Sequence, residues 1–251
     1  MQIVSCLLNA SNGFMGFYGF PGMFYRMDPT YSLVIIGAVI CMIASANVNR
    51  AFRKYSRYGS KRGITGAQAA QQILNDAGIY DVQIRHISGD LTDNYNPGNK
   101  TLNLSDSVYG STSIAAVGVA AHECGHAIQH NVGYIPIKIR GAIVPVVNLR
   151  SKVSLPVIIL GVILGSFNML NIGILLFALT LVFQIVTLPV EFNASSRALK
   201  ILDKSGMLYK DEVRGARRVL TAAAMTYITA TVSTLLQLLR LVLLFGRRND
   251  D

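Results

Sequence analysis

The sequence predicts an α-helical membrane protein of about four transmembrane helices that also carries a small α+β module. Three observations predict it. The 251 residues are 51% hydrophobic and only 14% charged, against about 25% charged in an ordinary globular protein, and the mean hydropathy is +0.42. The apolar residues are bunched into long uncharged runs. The basic residues stand beside those runs, as orienting charges of membrane proteins do. A disordered or collagen-like chain is excluded, because either needs far more polar or repetitive sequence. The net charge of +10, from 23 Lys+Arg and 13 Asp+Glu, would suggest nucleic acid in a soluble protein. Its placement here points to the lipid bilayer as partner and away from nucleic acid. Cys6, Cys41 and Cys124 are too few and scattered for a disulfide framework, and no CxxC occurs.

Residues 1–31 open the chain. Met1–Ala10 lacks a basic stretch, so no cleavable signal is expected, and Gly13–Tyr25 is a Gly- and aromatic-rich segment suited to an interface. The first transmembrane helix falls at 32–49, where Ser32–Val48 carries no charge and Arg50, Arg53 and Lys54 follow. Val153–Val190 is a run of 38 residues without a charge. As one helix it would be about 57 Å long, too long for one crossing of a ~30 Å core. Helices 2 and 3 are therefore expected as a hairpin within 153–190, broken near Ser166-Phe167-Asn168 and Asn171. The uncharged Leu220–Leu239 places helix 4 within 219–245, before a polar tail at 246–251. Lys and Arg crowd the segments after the first and third spans, whereas the first 31 residues have only Arg26. The positive-inside rule then puts 50–152 and 191–218 on the cytoplasmic side.

Within 50–152, Ile64–Gly78 reads as an amphipathic helix with Thr65 and Gln68 as a capping box and Gly78 at its end. Val82–Ile87 and Lys100–Leu104 alternate apolar with polar and read as strands. Asp93–Asn99 between them is a dense turn cluster. Thr112–His130, opened by Ser/Thr caps and rich in Ala, reads as a helix whose apolar part, Ile114–Ala121, is too short to cross a bilayer.

That last helix contains His122-Glu123-Cys124-Gly125-His126, an HExxH motif. At i and i+4 the two imidazoles share one face about 6 Å apart along the axis, so both can reach one zinc ion. Glu123, rotated by about 100°, points beside the metal, where a bound water would sit. Zinc lowers that water's pKa towards ~7 and the carboxylate takes its proton, which suits amide hydrolysis. The module is thus read as zincin-like and catalytic. A catalytic zinc needs a third protein ligand and an open position. His130, at i+8, lies about 12 Å from His122 along a continuous helix, beyond a shared coordination sphere, and with Gln129 fits no metzincin spacing. His130 and His86 are read as packing or surface residues. Glu191 is the better ligand. It follows Pro189, which suits the first turn of a new helix, and a carboxylate ending an uncharged run needs a partner. Arg197 is the ordinary alternative partner for it.

AAVGVAAHECGHAIQH, the turn LTDNYNP before NKTLNLSDSVYG, and VTLPVEFNASSRALK resemble the YugP-like neutral zinc metallopeptidase family of bacterial membranes, from about Asp28 to the last span. The resemblance implies a multi-pass bacterial cell-membrane protein with a cytoplasmic catalytic module, one Zn2+ held by His122 and His126, and Glu123 as catalytic acid/base. The chain is also similar, more distantly, to HtpX-type membrane proteases, whose ligand Glu is followed four positions on by an acidic residue. Here Ser195 stands in that place, so support for a ligand imidazole is expected from elsewhere.

Tyr95, Arg197, Arg214 and Tyr227 are candidates for stabilising a tetrahedral intermediate. Strand 100–104 is a candidate edge for an extended peptide or protein substrate, and Cys124 reads as a packing residue. Two other functions compete. A site-2-type intramembrane protease would place HExxH inside a full-length span. A non-enzymatic zinc-binding membrane protein would have no use for Glu123.

Overall fold

The computed structural model describes residues 28–144, 159–160, 163–164 and 167–245. The Gly- and aromatic-rich N-terminal segment and most of the expected second transmembrane helix lie outside these residues. Three described helices are long and apolar enough to cross a membrane: α1 (Tyr31–Tyr55), α4 (Phe167–Ser205) and α5 (Lys210–Phe245). α1 packs along α5, and α5 along α4. Small residues let α1 and α5 approach closely: a Cβ on Gly37 would lie 2.7 Å from Ser233 Oγ, the kind of contact that replaces hydrophobic burial between helices in lipid. Their outer faces carry Met42 and Ile43, 63% and 64% exposed, and Leu175 on α4, 65% exposed. Such contiguous apolar surface belongs against acyl chains rather than water.

Helix α4 corrects two expectations. It begins at Phe167, within the stretch Ser166-Phe167-Asn168 where the hairpin turn is expected, but runs unbroken through Asn171, which is no break, and continues through Pro189 without starting a new helix. Asn keeps its backbone N–H and so permits a helix. Pro189 removes a single N–H, a loss that spanning helices tolerate when neighbours pack beside them, as α3 and α5 do here.

The α+β module consists of α2 (Gly66–Asp76), strands β1 (Gln83–Ile87), β2 (Asn94–Asn96) and β3 (Thr101–Ser105), and α3 (Ile114–Asn131). α2 starts with the full capping box: Gln68 N–H donates to Thr65 Oγ1 at 3.2 Å and Thr65 N–H to Gln68 Oε1 at 3.0 Å. The sheet order is β1-β3-β2, with β1 parallel and β2 antiparallel to β3. β3 is therefore the central strand, paired on both sides, and cannot offer the free edge expected of it; Leu102 and Leu104 on it are fully buried. The edges are β1 and β2, the latter inside the segment read as a turn cluster. Asp93 fastens this strand, its carboxylate accepting from Ser105 N–H at 2.8 Å and Ser105 Oγ–H at 2.9 Å.

One core joins module and membrane helices. Ile73 and Leu74 of α2, the β3 leucines and nearly all of α3 pack with Ala198 and Leu202 of α4 and Ala216 and Leu220 of α5. Each large apolar side chain buried this way stabilises the fold by about 1.5–3 kcal/mol. The ends of these long helices that meet the module are thus its walls.

Candidate metal centre

α3 begins with Ser113, whose Oγ accepts from Ala116 N–H at 3.2 Å. Its Ala- and Gly-rich sequence lets it sit buried against α2, α4 and α5. α4 comes close at Gly125, where a Cβ would lie 2.7 Å from the Ala194 carbonyl oxygen and 3.1 Å from Ala194 Cα. That contact sets His122 and His126 of α3 opposite Glu191 of α4. His122 Nε2 is 3.3 Å and His126 Nε2 3.6 Å from Glu191 Oε2, and one ligand atom from each residue lies within 4.8 Å of the others. The edge of a tetrahedron with ~2.1 Å metal–ligand arms is about 3.4 Å. All three residues are buried.

Hydrogen bonds fix which nitrogen faces inward. Gln129 donates through Nε2 to the Val190 carbonyl at 2.8 Å and to Asn193 Oδ1 at 3.0 Å. Its Oε1, 3.1 Å from His126 Nδ1, is therefore the acceptor, so Nδ1 carries the proton and Nε2 turns a lone pair toward Glu191. Ser195 Oγ stands 3.1 Å from His122 Nδ1. Support for that imidazole comes from position 195 itself, contrary to the expectation that it must come from elsewhere. Glu191 Oε2, buried, has no hydrogen-bond partner. Lone pairs from two imidazoles and a carboxylate facing one another are stable only with a cation or proton between them, and this donor set is that of a catalytic zinc site. The residues present therefore fit a zinc ion. Without metal a proton takes that place: burial disfavours the charged ring of His126, but Glu191 outweighs it and lifts the pKa above the usual 6.5.

Glu123, one residue along α3, accepts from the Tyr95 N–H of β2 through Oε2 at 3.1 Å. The edge strand thereby lies against the motif's carboxylate. The other Glu191 oxygen, Oε1, accepts from Arg140 Nη1 at 3.1 Å. Arg140 lies on a helical stretch at 135–144 that follows α3, and was not anticipated.

Over residues 30–246 the chain matches the family described as "Putative neutral zinc metallopeptidase". The chain belongs to this zinc metallopeptidase family. It is 42% identical over 219 residues to the protein named "Putative membrane protease YugP" of Bacillus subtilis (strain 168), an alignment covering 87% of this chain and 97% of that protein. No solved structure matches it. For a member of the zinc metallopeptidase family, zinc is the metal implied at the cluster, and the geometry above fits it.

The remaining candidates have other partners. Tyr95 Oη is 3.1 Å from His130 Nδ1, and His86 pairs with Asp106 at 2.7 Å on the exposed side of the sheet. Arg197 Nε donates to Asn193 Oδ1 at 2.7 Å and not to Glu191. Tyr227 packs beside Val48, Ala222 and Ala223, and Arg214 is exposed. Cys124 is fully buried, and burial pushes its thiol far up, as suits a packing residue. Sequence reasoning missed Gln129 and Arg140. The available signals were faint: a lone amide one turn past His126, and one of two cations within IPIKIRGAIV.

Proposed function

We propose that this chain is a membrane-anchored zinc endopeptidase that hydrolyses peptide bonds at the cytoplasmic surface of the bacterial cell membrane. The observation that carries the proposal is the convergence of His122 Nε2, His126 Nε2 and Glu191 Oε2 on one point, with Glu123 next to it. His122, His126 and Glu191 would hold one zinc ion, which would supply a Lewis acid able to acidify a water and polarise a carbonyl. Glu123, anchored through one oxygen by Tyr95 N–H, takes the proton of the attacking water and returns it to the departing amine. The β2 edge, beside Glu123, is placed to align an extended peptide by backbone hydrogen bonds. A short, open-sided strand at the lip of the cluster suits a peptide or protein substrate rather than a small metabolite.

Glu123 also separates this reading from its rivals. A protein that only binds zinc does not need a carboxylate held in that place, and a site-2-type protease would need α3 to be a span, whereas the described spans are α1, α4 and α5. The test is metal analysis and peptide-library hydrolysis on purified protein. Glu123→Gln should retain zinc and lose hydrolysis, while His126→Ala and Glu191→Ala should both lose zinc. Hydrolysis persisting undiminished in Glu123→Gln would sink the mechanism.

A further inference from the structure

The stretch 135–144, which sequence and family left without a role, carries two faces. Ile135 is 70% and Ile139 45% exposed, and Ala142 is exposed as well. At 100° per residue these three fall within an arc of about 60°, with exposed Lys138 at its flank. Arg140 projects from the opposite side, only 18% of its side chain exposed, and bonds Glu191. Its depth relative to the membrane follows from α4. Asn171–Val190 is uncharged over about 30 Å, the thickness of a hydrocarbon core, and Glu191 is the first charge beyond it. A helix tied to Glu191 through Arg140 therefore sits at the level where α4 leaves the lipid.

We propose that residues 135–144 form a membrane-surface clamp: the Ile135–Ile139–Ala142 face lies on the headgroup–acyl boundary of the bilayer, and Arg140 on the other face holds Glu191 by Oε1 so that Oε2 alone meets the two imidazoles. The inference rests on the metal centre proposed above. Large aliphatic side chains left open to water beside a bilayer edge gain by entering it, and Lys138 can reach lipid phosphates from the rim. The same docking keeps the helix seated, and with it the guanidinium that stops the Glu191 carboxylate from rotating. Ile135 and Ile139 thereby become lipid-binding residues and Arg140 a positioning residue.

The chain contains no tryptophan, so Ile135→Trp and Ile139→Trp each install a single fluorophore on an exposed position of the full-length protein. In vesicles of phosphatidylcholine and phosphatidylglycerol, both should be quenched when the acyl chains are brominated and shielded from aqueous iodide. Quenching by iodide without bromine quenching would overturn the clamp, and shielding from both would do so too, showing protein rather than lipid on that face. In the same vesicles Arg140→Ala should weaken zinc binding about 10- to 100-fold, the usual range for residues that orient metal ligands, with Arg140→Lys losing less. The cobalt-substituted protein should show an altered visible spectrum. Unchanged zinc affinity and an unchanged cobalt spectrum in Arg140→Ala would refute the positioning role. Failure of the wild-type protein to take up zinc would instead refute the metal centre, which the fluorescence arm does not require.

Discussion

A histidine that ligates a metal must present one ring nitrogen and anchor the other, and here the anchors are neutral: Gln129 for His126 and Ser195 for His122. Removing one should loosen the ring without dismantling the helix. Ser195→Ala is expected to lower zinc affinity about tenfold or more, read by chelator competition, with the circular-dichroism spectrum unchanged. The His126 ring also sets a pH dependence. Glu191 raises its pKa above 6.5 against the opposing effect of burial, and that proton must leave before zinc can bind. Zinc affinity should therefore climb as pH rises through and above the neutral range. The metal-free fold has the opposite slope, because the charged pair contributes fully below the unfolded imidazole value of about 6.5 and is lost as pH rises through the raised one. Thermal unfolding with and without zinc across that range tests both signs. At this scale the sequence was most informative for the motif itself, whose five residues are contiguous, and for Glu191, a lone acid ending an apolar run. Arg140 was hidden because its partner lies 51 positions away; Gln129 is only three residues from His126, but the carbonyl that orients its amide lies 61 positions away, distances no local pattern encodes.

Between elements, the decisive contact is the one at Gly125. Adding a methyl there would drive into the Ala194 backbone, which cannot swing aside as a flexible side chain can. Gly125→Ala should push α4 away from α3, carry Glu191 and Ser195 with it, and weaken zinc binding although no ligand has changed. Overpacking of this kind costs about 1–3 kcal/mol, so the variant should still fold, and isothermal titration with zinc is the measurement. Wild-type affinity in that variant would show that the interhelical distance does not govern the site. Elements with strong local signals were legible: the Thr65–Gln68 capping box, the Ser113 cap, and the strands at 83–87 and 101–105 to within a residue. β2 was not, because Asn94-Tyr95-Asn96 is three residues long and two of them favour turns; only its pairing with β3 makes it a strand. The continuity of α4 was hidden likewise, since proline and asparagine read as breakers when the helices flanking them are unseen.

Across the whole molecule, the site fixes the direction of the spans. α4 runs from Phe167 toward Glu191, about 36 Å at 1.5 Å per residue, so its first residue stands at the far end of the lipid from the metal ligands. Arg140 meets Glu191 at one end of that length, whereas Phe167 opens α4 at the other. We therefore expect one further crossing between them and four in all, with the loops after α1 and α4 on one side. Single cysteines at exposed Tyr58 and Tyr209, in a cysteine-free background, should react with a membrane-impermeant maleimide only in inside-out vesicles, and one at Ser166 only in right-side-out vesicles. Labelling of all three from the same side would exclude the fourth crossing. Charge and length carry the expected span count and sidedness, which the labelling tests; how far α4 and α5 extend into the module depends on tertiary packing, which the sequence does not display.

The proposed ligands are divided between two packed helices, with two on α3 and one on a 39-residue rod whose other half carries the uncharged apolar stretch. Taking the bilayer midplane as fulcrum, Glu191 rides on an arm of about 15 Å, and a 5° change in the tilt of that rod would displace it by about 1.3 Å. Coordination tolerates only ~0.2 Å. With the metal centre proposed above, a leaflet that thins or thickens is expected to act on the site through the tilt of that rod.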